Sequence, residues 1–421
     1  MHFHFSNRGI QRSFMATNVH LFKFLFLLLF FSSFWTPHGQ QILDSLKPGD
    51  MLTSSSRLVS SKQGFPLMFT RSGLFERNCT SLVISSNEGS SKTYLWFSGA
   101  NDSEVLGLEN NAGALIIRGQ GGNLTTLYSS AQPTTNGSTK LVKRGPSGHG
   151  LVLWQTIGLV LWQSFDNPGN ALLPGMKLGI NRKTGQTWSL RSWLTRNLPV
   201  PGPFSLEWDP KGRQLIIRLR EVVYWKSGVL RENQFENNSP NLTLTYMYHF
   251  KVISNADEDS FSFDYEDQSQ PLQWTLTDMG RIYEGQKSIA RTDDCYGYNT
   301  DGGCQRWNLS VCRQPGFTVE LNRSYVVNYE QYNSKDPNLG MIDCKANCLA
   351  SCRCVAYNTL YANWTGCRFF TTISNFSPSE KEMTDMVYIL SPKPSESGKF
   401  TTSLCYEQYT SFLFQHLMAV S

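Results

Sequence analysis

Residues Leu161 to Gly179 read LWQSFDNPGNALLPGMKLG, and the two halves of this stretch ask for different local structure. Leu161, Trp162 and Phe165 form a short aromatic run of the kind that packs well on a pleated surface. Pro168, Gly169, Pro174, Gly175 and Gly179 follow, and these residue types punctuate turns. A strand giving way to closely spaced turns reads as a join, so a β-rich module is expected on each side of it.

Taken whole, the stretch resembles the LWQSFD-x-P-x-x-x-LLPGMKLG signature of plant S-domain proteins, the S-locus glycoproteins and the G-type lectin receptor-like kinases. The resemblance implies a mainly β, multi-module ectodomain: a β-prism of the bulb-type lectin kind, a β-rich S-locus glycoprotein domain, and a small disulfide-rich α+β module of the PAN or apple type. The corresponding segments are residues 1–39 as a signal peptide, 40–160 as a degraded bulb-type lectin-like domain, and 161–290 as the S-locus glycoprotein domain. A cysteine-containing connector over 291–311, the apple-like module over 312–391 and an unstructured tail over 392–421 complete the chain.

Composition agrees with an extracellular destination. Charged residues make up 17% of the 421 residues, below the usual share of about a quarter, and glycans would supply the missing hydration. Asn-x-Ser/Thr acceptors occur at Asn78, Asn101, Asn123, Asn136, Asn237, Asn241, Asn308, Asn322, Asn363 and Asn375. Near the N-terminus Arg8, Arg12 and Lys23 precede the apolar run Phe24 to Phe31, too short to span a bilayer and suited to a secretory leader. Its removal would take away much of the formal net charge of +5, leaving no basic footprint for nucleic acid. Secretion, to the apoplast or cell wall, is the expected destination.

Before the join, short β-like runs at Ser81–Ser85, Thr93–Phe97, Ala114–Arg118 and Asn123–Tyr128 alternate with Gly/Asn/Ser turns. Lectin relatives of the family bind mannose through Q-x-D-x-N-x-V-x-Y, in which acid, amide and phenol hydrogen-bond sugar hydroxyls. Gln120 and Tyr128 stand at the right separation, but Gly122, Leu124 and Thr126 fill the three inner positions, and Asn123 is itself a glycan acceptor. Gln120 and Tyr128 are thus the remaining candidate sugar contacts of a broken motif. Residues 151–158 and 159–166 read LVLWQTIG and LVLWQSFD, a near-duplication that reads as an insertion or a gene-model artefact, with the first copy the additional one.

Beyond the join, half-buried strands are expected at Thr187–Leu194, Phe204–Trp208, Gln214–Leu219, Val222–Trp225, Thr243–Phe250 and Phe261–Tyr265. The pieces WSLRSWL, GPFSLEWD and VVYWKSG are similar to the S-locus glycoprotein domain. Asp257, Glu258 and Asp259 read as a solvated loop, since they lack the alternate ligand spacing and turn-forming Gly of a calcium loop.

Eight of the ten cysteines lie between Cys295 and Cys367. Cys344, Cys348 and Cys352 repeat every four residues, which places them on one face of a helix expected over Ile342 to Ser351. Zinc ligation by clustered thiolates is disfavoured by the leader, by the acceptors Asn308 and Asn363, and by the absence of a neighbouring His. The run CKANCLASCRCVAY with Cys367 following resembles the PAN or apple module. That resemblance implies Cys344 paired with Cys367 and Cys348 with Cys354; Cys352 would then reach upstream, with Cys312 the chosen partner, and Cys295 and Cys304 would form a nearby pair. Cys79 and Cys405 have no evident partner and would be free, joined to each other, or used between chains.

Phe412 to Val420 is far shorter than the roughly 20 apolar residues a membrane helix needs. Kinase elements are missing: Asp278-Met279-Gly280 reads as a turn, GQGG at Gly119 fails the dinucleotide pattern, and GPSGH at Gly145 is no nucleophile elbow. His38, His149, His249 and His416 are too dispersed for a triad. No catalytic residue, cofactor or metal is assigned. The expected role is extracellular recognition of a peptide, protein or carbohydrate by binding, with homo- or heterodimerisation with related receptor kinases. Membrane attachment would come only through a partner or a missing transmembrane segment, placing the chain at the plasma membrane. The alternatives are the ectodomain part of a G-type lectin S-receptor-like serine/threonine-protein kinase and a secreted mannose-binding lectin.

Overall fold

The computed structural model describes residues 41–59, 66–72, 79–85, 94–98, 103–109, 114–129, 137–144, 148–155, 160–196, 198–237, 248–265, 272–290, 292, 295, 297, 300–307, 317–322, 324–378 and 387–392. The fold is mainly β, and the chain divides into two compact units that part between Asn167 and Pro168. The expected leader and the tail beyond Pro392 lie outside the described residues.

In the first unit the strands form three sheets, as a three-sided prism requires. One has five strands, running Gln41–Leu43, Ser56–Leu58, Leu67–Ser72, Cys79–Ser85 and Tyr94–Phe97. The second orders Leu124–Tyr128, Leu115–Gly119, Ser103–Leu108 and Met51–Thr53; the third orders Val160–Gln163, Gly148–Gln155, Gly137–Arg144 and Ser45–Leu46. All three sheets contribute fully buried leucines, Leu58 and Leu82 from the first, Leu106 and Leu115 from the second, Leu151 and Leu153 from the third. Burial of such side chains is worth roughly 2 kcal/mol each and drives the sheets together.

The near-duplicate copies are both structural. Strand Gly148–Gln155 pairs antiparallel with Val160–Gln163, placing Val152 opposite Gln163 and Leu153 opposite Trp162. The first copy is part of a core strand, with Leu151, Val152 and Leu153 buried, and each copy gives the other a ladder partner. The aromatic half of the join also stays with this unit: Trp162 meets Trp96 edge to face at 6.2 Å, and Trp96 Nε1 donates to the Asn167 carbonyl at 2.9 Å. These contacts place the parting after Asn167 rather than after residue 160.

The turn-rich half opens the second unit. Pro174 and Gly175 form the centre of a turn closed by Met176 N donating to the Leu173 carbonyl, with Gly175 at φ 81°, the position where such turns demand glycine. Gly179 then enters strand Leu178–Asn181 opposite Ser260. Its φ is 137°, and a β-carbon there would lie 2.1 Å from the Asp259 carbonyl oxygen. Around it stand three four-stranded sheets: Thr187–Trp188, Leu178–Asn181, Glu258–Tyr265, Tyr248–Ser254; then Leu190–Thr195, Leu198–Asp209, Gln214–Leu219, Val222–Lys226; then Ala171–Leu172, Trp274–Leu276, Ile282–Glu284, Lys287–Ser288. Aromatic rings fill the space between strands, with Phe263 stacked on Trp274 at 4.5 Å and Trp208 on Phe261 at 5.3 Å.

The acidic run is a correction to its reading as a solvated loop. Asp257 is exposed on a turn, but Glu258 and Asp259 begin strand Glu258–Tyr265, and Asp259 is only 4% exposed. A buried carboxylate needs partners, and Asp259 has Arg182 Nη2 at 2.8 Å, Ser254 Oγ at 2.9 Å and Trp208 Nε1 at 3.4 Å. Arg182 and Trp208 are remote in sequence, so no local pattern announces them.

The unit closes with a five-stranded sheet ordered Phe317–Asn322, Val387–Pro392, Ala356–Thr359, Cys367–Pro378 and Ser324–Ser334, carrying the helix Met341–Ala350. The helix begins one residue before its expected start, and the last strand runs on to Pro392, the first residue given to the tail.

Candidate functional site

The broken sugar motif maps to one edge of the second sheet. Gln120 lies in a tight turn, Gln120–Gly122, in which Gly121 and Gly122 adopt φ 76° and 82°. The edge strand Leu124–Tyr128 follows, its Leu124, Thr125 and Thr126 exposed and Tyr128 half-buried at the far end. A register shift between Thr126 and Tyr128 pairs Tyr128 with Leu115, a core residue. The shift interrupts the two-residue alternation that would line Tyr128 up with Leu124 and Thr126. Leu124, 57% exposed, presents an aliphatic side chain where the motif needs an amide. Gln120, in the turn before the strand, and Tyr128, at the strand's far end, are thus separated by residues that offer two threonine hydroxyls and no acid.

The cysteine-rich module is built around its helix. Cys344 is bonded to Cys367 on the neighbouring strand, and Cys348 to Cys354 just beyond the helix end. Cys295 is bonded to Cys304. Cys352 is also disulfide-bonded, and Cys312, its expected partner, lies outside the described residues, as does Cys405. Cys79 opens strand Cys79–Ser85. Cys344, Cys348, Cys354 and Cys367 share a buried cluster with Leu349, Tyr357 and Phe369. A helix of ten residues has little stability alone, so these bonds and this packing hold it.

Its start is fixed by Asp343, whose Oδ2 accepts the Gly340 N–H at 2.9 Å. The same carboxylate takes two hydrogen bonds from Arg220, Nε to Oδ1 and Nη2 to Oδ2, both 3.0 Å. Arg220 sits at φ 54° in the turn between strands Gln214–Leu219 and Val222–Lys226, so a strained position in one sheet system anchors the helix of the other.

Five of the glycan acceptors lie on described residues. Asn123 is exposed. Asn363 is exposed, with its Oδ1 accepting the Thr365 hydroxyl at 2.7 Å, which leaves its amide nitrogen outward. Asn237 is half-buried, and its Nδ2 donates to the Lys226 carbonyl at 3.1 Å. Asn322 ends strand Phe317–Asn322, and Asn375 lies within Cys367–Pro378. Asn78, Asn101, Asn136, Asn241 and Asn308 lie outside the described residues.

Among the described residues no group of three His, Cys, Asp or Glu side chains is placed to hold a metal ion. No helix among them is long and apolar enough to cross a membrane. Asp278, Met279 and Gly280 form a hairpin turn, Gly280 N donating to the Thr277 carbonyl at 3.0 Å.

Comparison with known proteins adds a family context. Residues 100–194 match the family described as D-mannose binding lectin, a span that takes in the LWQSFD stretch and ends on strand Leu190–Thr195. The chain is 29% identical to the Arabidopsis thaliana G-type lectin S-receptor-like serine/threonine-protein kinase CES101, over 87% of this chain and 48% of that protein. A second Arabidopsis thaliana kinase of the same type is 27% identical over 62% of this chain and 32% of its own length. A third is 25% identical over 82% of this chain and 43% of its own. The chain therefore spans about half the length of these curated relatives or less. Among solved structures, the Japanese Marasmius oreades lectin aligns at 13% identity over 30% of this chain and 93% of its own, with a TM-score of 0.23 that carries no weight for fold or function.

Proposed function

Because this chain belongs to the plant S-domain family, we propose that it is an extracellular recognition protein that works by binding a ligand and not by catalysis. The observation that carries the reading is its alignment over 87% of its length with 48% of a receptor-like kinase. Three disulfides among the described residues support an oxidising compartment. The ligand is a peptide, protein or carbohydrate in the apoplast or cell wall. Dimerisation with related receptor kinases would couple binding to a signal.

The test is to express the chain with an internal tag in plant cells and to analyse extracellular fluid and membrane fractions by mass spectrometry. Recovery from the fluid as a glycoprotein, and co-purification with G-type lectin receptor kinases, is the expected result. Retention inside the cell without glycans would refute the reading.

The same alignment favours a second reading, in which these residues are the ectodomain part of a receptor kinase. Peptides from this chain, found only in membranes and continuous with a kinase sequence, would select it. The match to the lectin family keeps a mannose-binding role as a third reading. Elution from a mannose column by free sugar would select that one, and the missing acid and amide of the motif argue against it.

A further inference from the structure

A cleft of about 340 Å³ opens in the second unit between the hairpin turn Thr277–Gly280 and the end of strand Leu190–Thr195. Trp193, Arg196, Asp278, Met279, Arg281 and Tyr283 line it. Its volume is at the small end of ligand pockets, sized for one or two sugar rings or a few peptide side chains.

The lining is preorganised from the backbone outward. Thr277 Oγ1 accepts the N–H groups of Met279 and Arg281 at 3.4 and 3.1 Å, and Thr277 N donates to the Arg281 carbonyl at 2.9 Å. Gly280 closes the turn at φ 75°, where a β-carbon would fall 2.6 Å from the Phe204 ring. On the facing strand, the pairing of Leu190–Thr195 with Leu198–Asp209 shifts register on both sides of Trp193. Such irregularities re-aim side chains and concentrate next to binding sites.

The electrostatics favour an anion. Arg196 and Arg281 flank Asp278, whose carboxyl also accepts the Arg196 backbone N–H. Burial raises the Asp278 pKa against the pull of both arginines. Lys345, on the helix Met341–Ala350, feels the positive charge of Arg281. Arg281 Nη1 donates to the Tyr283 hydroxyl at 3.3 Å, and the Arg196 guanidinium lies 5.9 Å from the centre of the Trp364 ring, so both forks are steered.

We propose that this cleft binds an acidic saccharide, a uronic acid residue of an oligosaccharide. The two guanidiniums take the sugar carboxylate, Asp278 accepts a ring hydroxyl, and Trp193 lies against the ring face. An acidic peptide fits the arginines equally, but a second peptide carboxylate would meet Asp278, whereas a sugar hydroxyl donates to it. The site is separate from the broken mannose motif and does not depend on whether the chain is secreted.

The test is calorimetric titration of the purified full chain with digalacturonate, with neutral α-1,4-galactobiose and with a triaspartate peptide, at low and high salt. A guanidinium–carboxylate hydrogen bond contributes about a factor of ten or more in affinity. Digalacturonate is therefore expected to bind at least about tenfold tighter than either competitor, and more weakly at high salt. Arg196→Gln, at an exposed position, should cost about tenfold in affinity, with thermal melting confirming that the variant is folded, and Arg281→Lys should give an intermediate loss. Equal affinity for galactobiose, tighter binding of triaspartate, or digalacturonate binding unchanged in both variants would overturn the proposal. Failure of the chain to be secreted would refute the functional reading and leave this titration untouched.

Discussion

Arg220 grips Asp343 with two parallel hydrogen bonds of 3.0 Å, and its Nη2 also donates to the Asn338 carbonyl at 2.8 Å. Asp343 is buried and also caps the helix, so one carboxylate does two jobs. Arg220→Ala leaves that carboxylate buried with only the cap, and the loss should be about 1–3 kcal/mol. Asp343→Ala removes the pair and the cap together and should cost more. Denaturant unfolding of both variants checks the order; equal, negligible losses would show the pair to be ornamental.

Gly179 and Gly175 separate steric from conformational demand. Gly175→Ala places a β-carbon in open space at φ 81° and should cost about 1 kcal/mol. Gly179→Ala drives a β-carbon into the Asp259 carbonyl and should cost several times that, enough to abolish soluble expression. Expression yield and unfolding midpoints measure both, and comparable losses would contradict the packing described around Ser260.

Glycan occupancy should follow amide exposure. Asn123 and Asn363 are expected to carry glycans in secreted protein. Asn237 is expected to be bare, since its Nδ2 is bonded to the Lys226 carbonyl and abuts the positions where β-carbons of Gly228 and Gly303 would be. Glycopeptide mass spectrometry reads this directly, and a largely occupied Asn237 would be inconsistent with the structure.

Lys345 carries a pH signature. Burial, reinforced by the charge of Arg281, lowers its amine to about 8 from the ordinary 10.5. Between those values the unfolded chain binds the proton and the folded chain does not, so stability rises with pH across that window. Below pH 8 both states are protonated and the full penalty applies. Lys345→Met should therefore be more stable than the parent at pH 7, and the gap should narrow by pH 9.5. A gap independent of pH in denaturant titrations would rule out this assignment.

Much of the architecture was legible where local chemistry and tertiary context agree. The strands around Phe204, Gln214 and Val222 are legible from their aromatic and aliphatic residues, which the fold buries in consecutive runs such as Phe204–Leu206 and Leu215–Ile217, and the Cys344–Cys348–Cys352 spacing is itself helical. Reading failed where a residue's role is set by partners distant in the chain. Asp259 looks like surface in an acidic run until Arg182 and Trp208 arrive, and the first LVLWQ copy looks superfluous until the second pairs with it.

The candidate sites divide in the same way. Gln120 and Tyr128 keep the motif's separation in sequence, yet the register shift after Thr126 shows that separation does not decide which face a strand residue occupies. Trp193, Asp278 and Arg281 carry no motif, and only the meeting of a hairpin turn with a strand end makes them neighbours.

By itself, the sequence determined the mainly β character, the turn at Pro174–Gly175 and the cysteine helix, because these depend on periodicity, fixed φ angles and spacing within a few residues. The tertiary structure alone decided which charges are buried, where the two units part and where a cleft forms. Those outcomes depend on burial and pairing between segments up to more than a hundred residues apart, as with Arg220 and Asp343, and long-range proximity leaves no local trace in a chain.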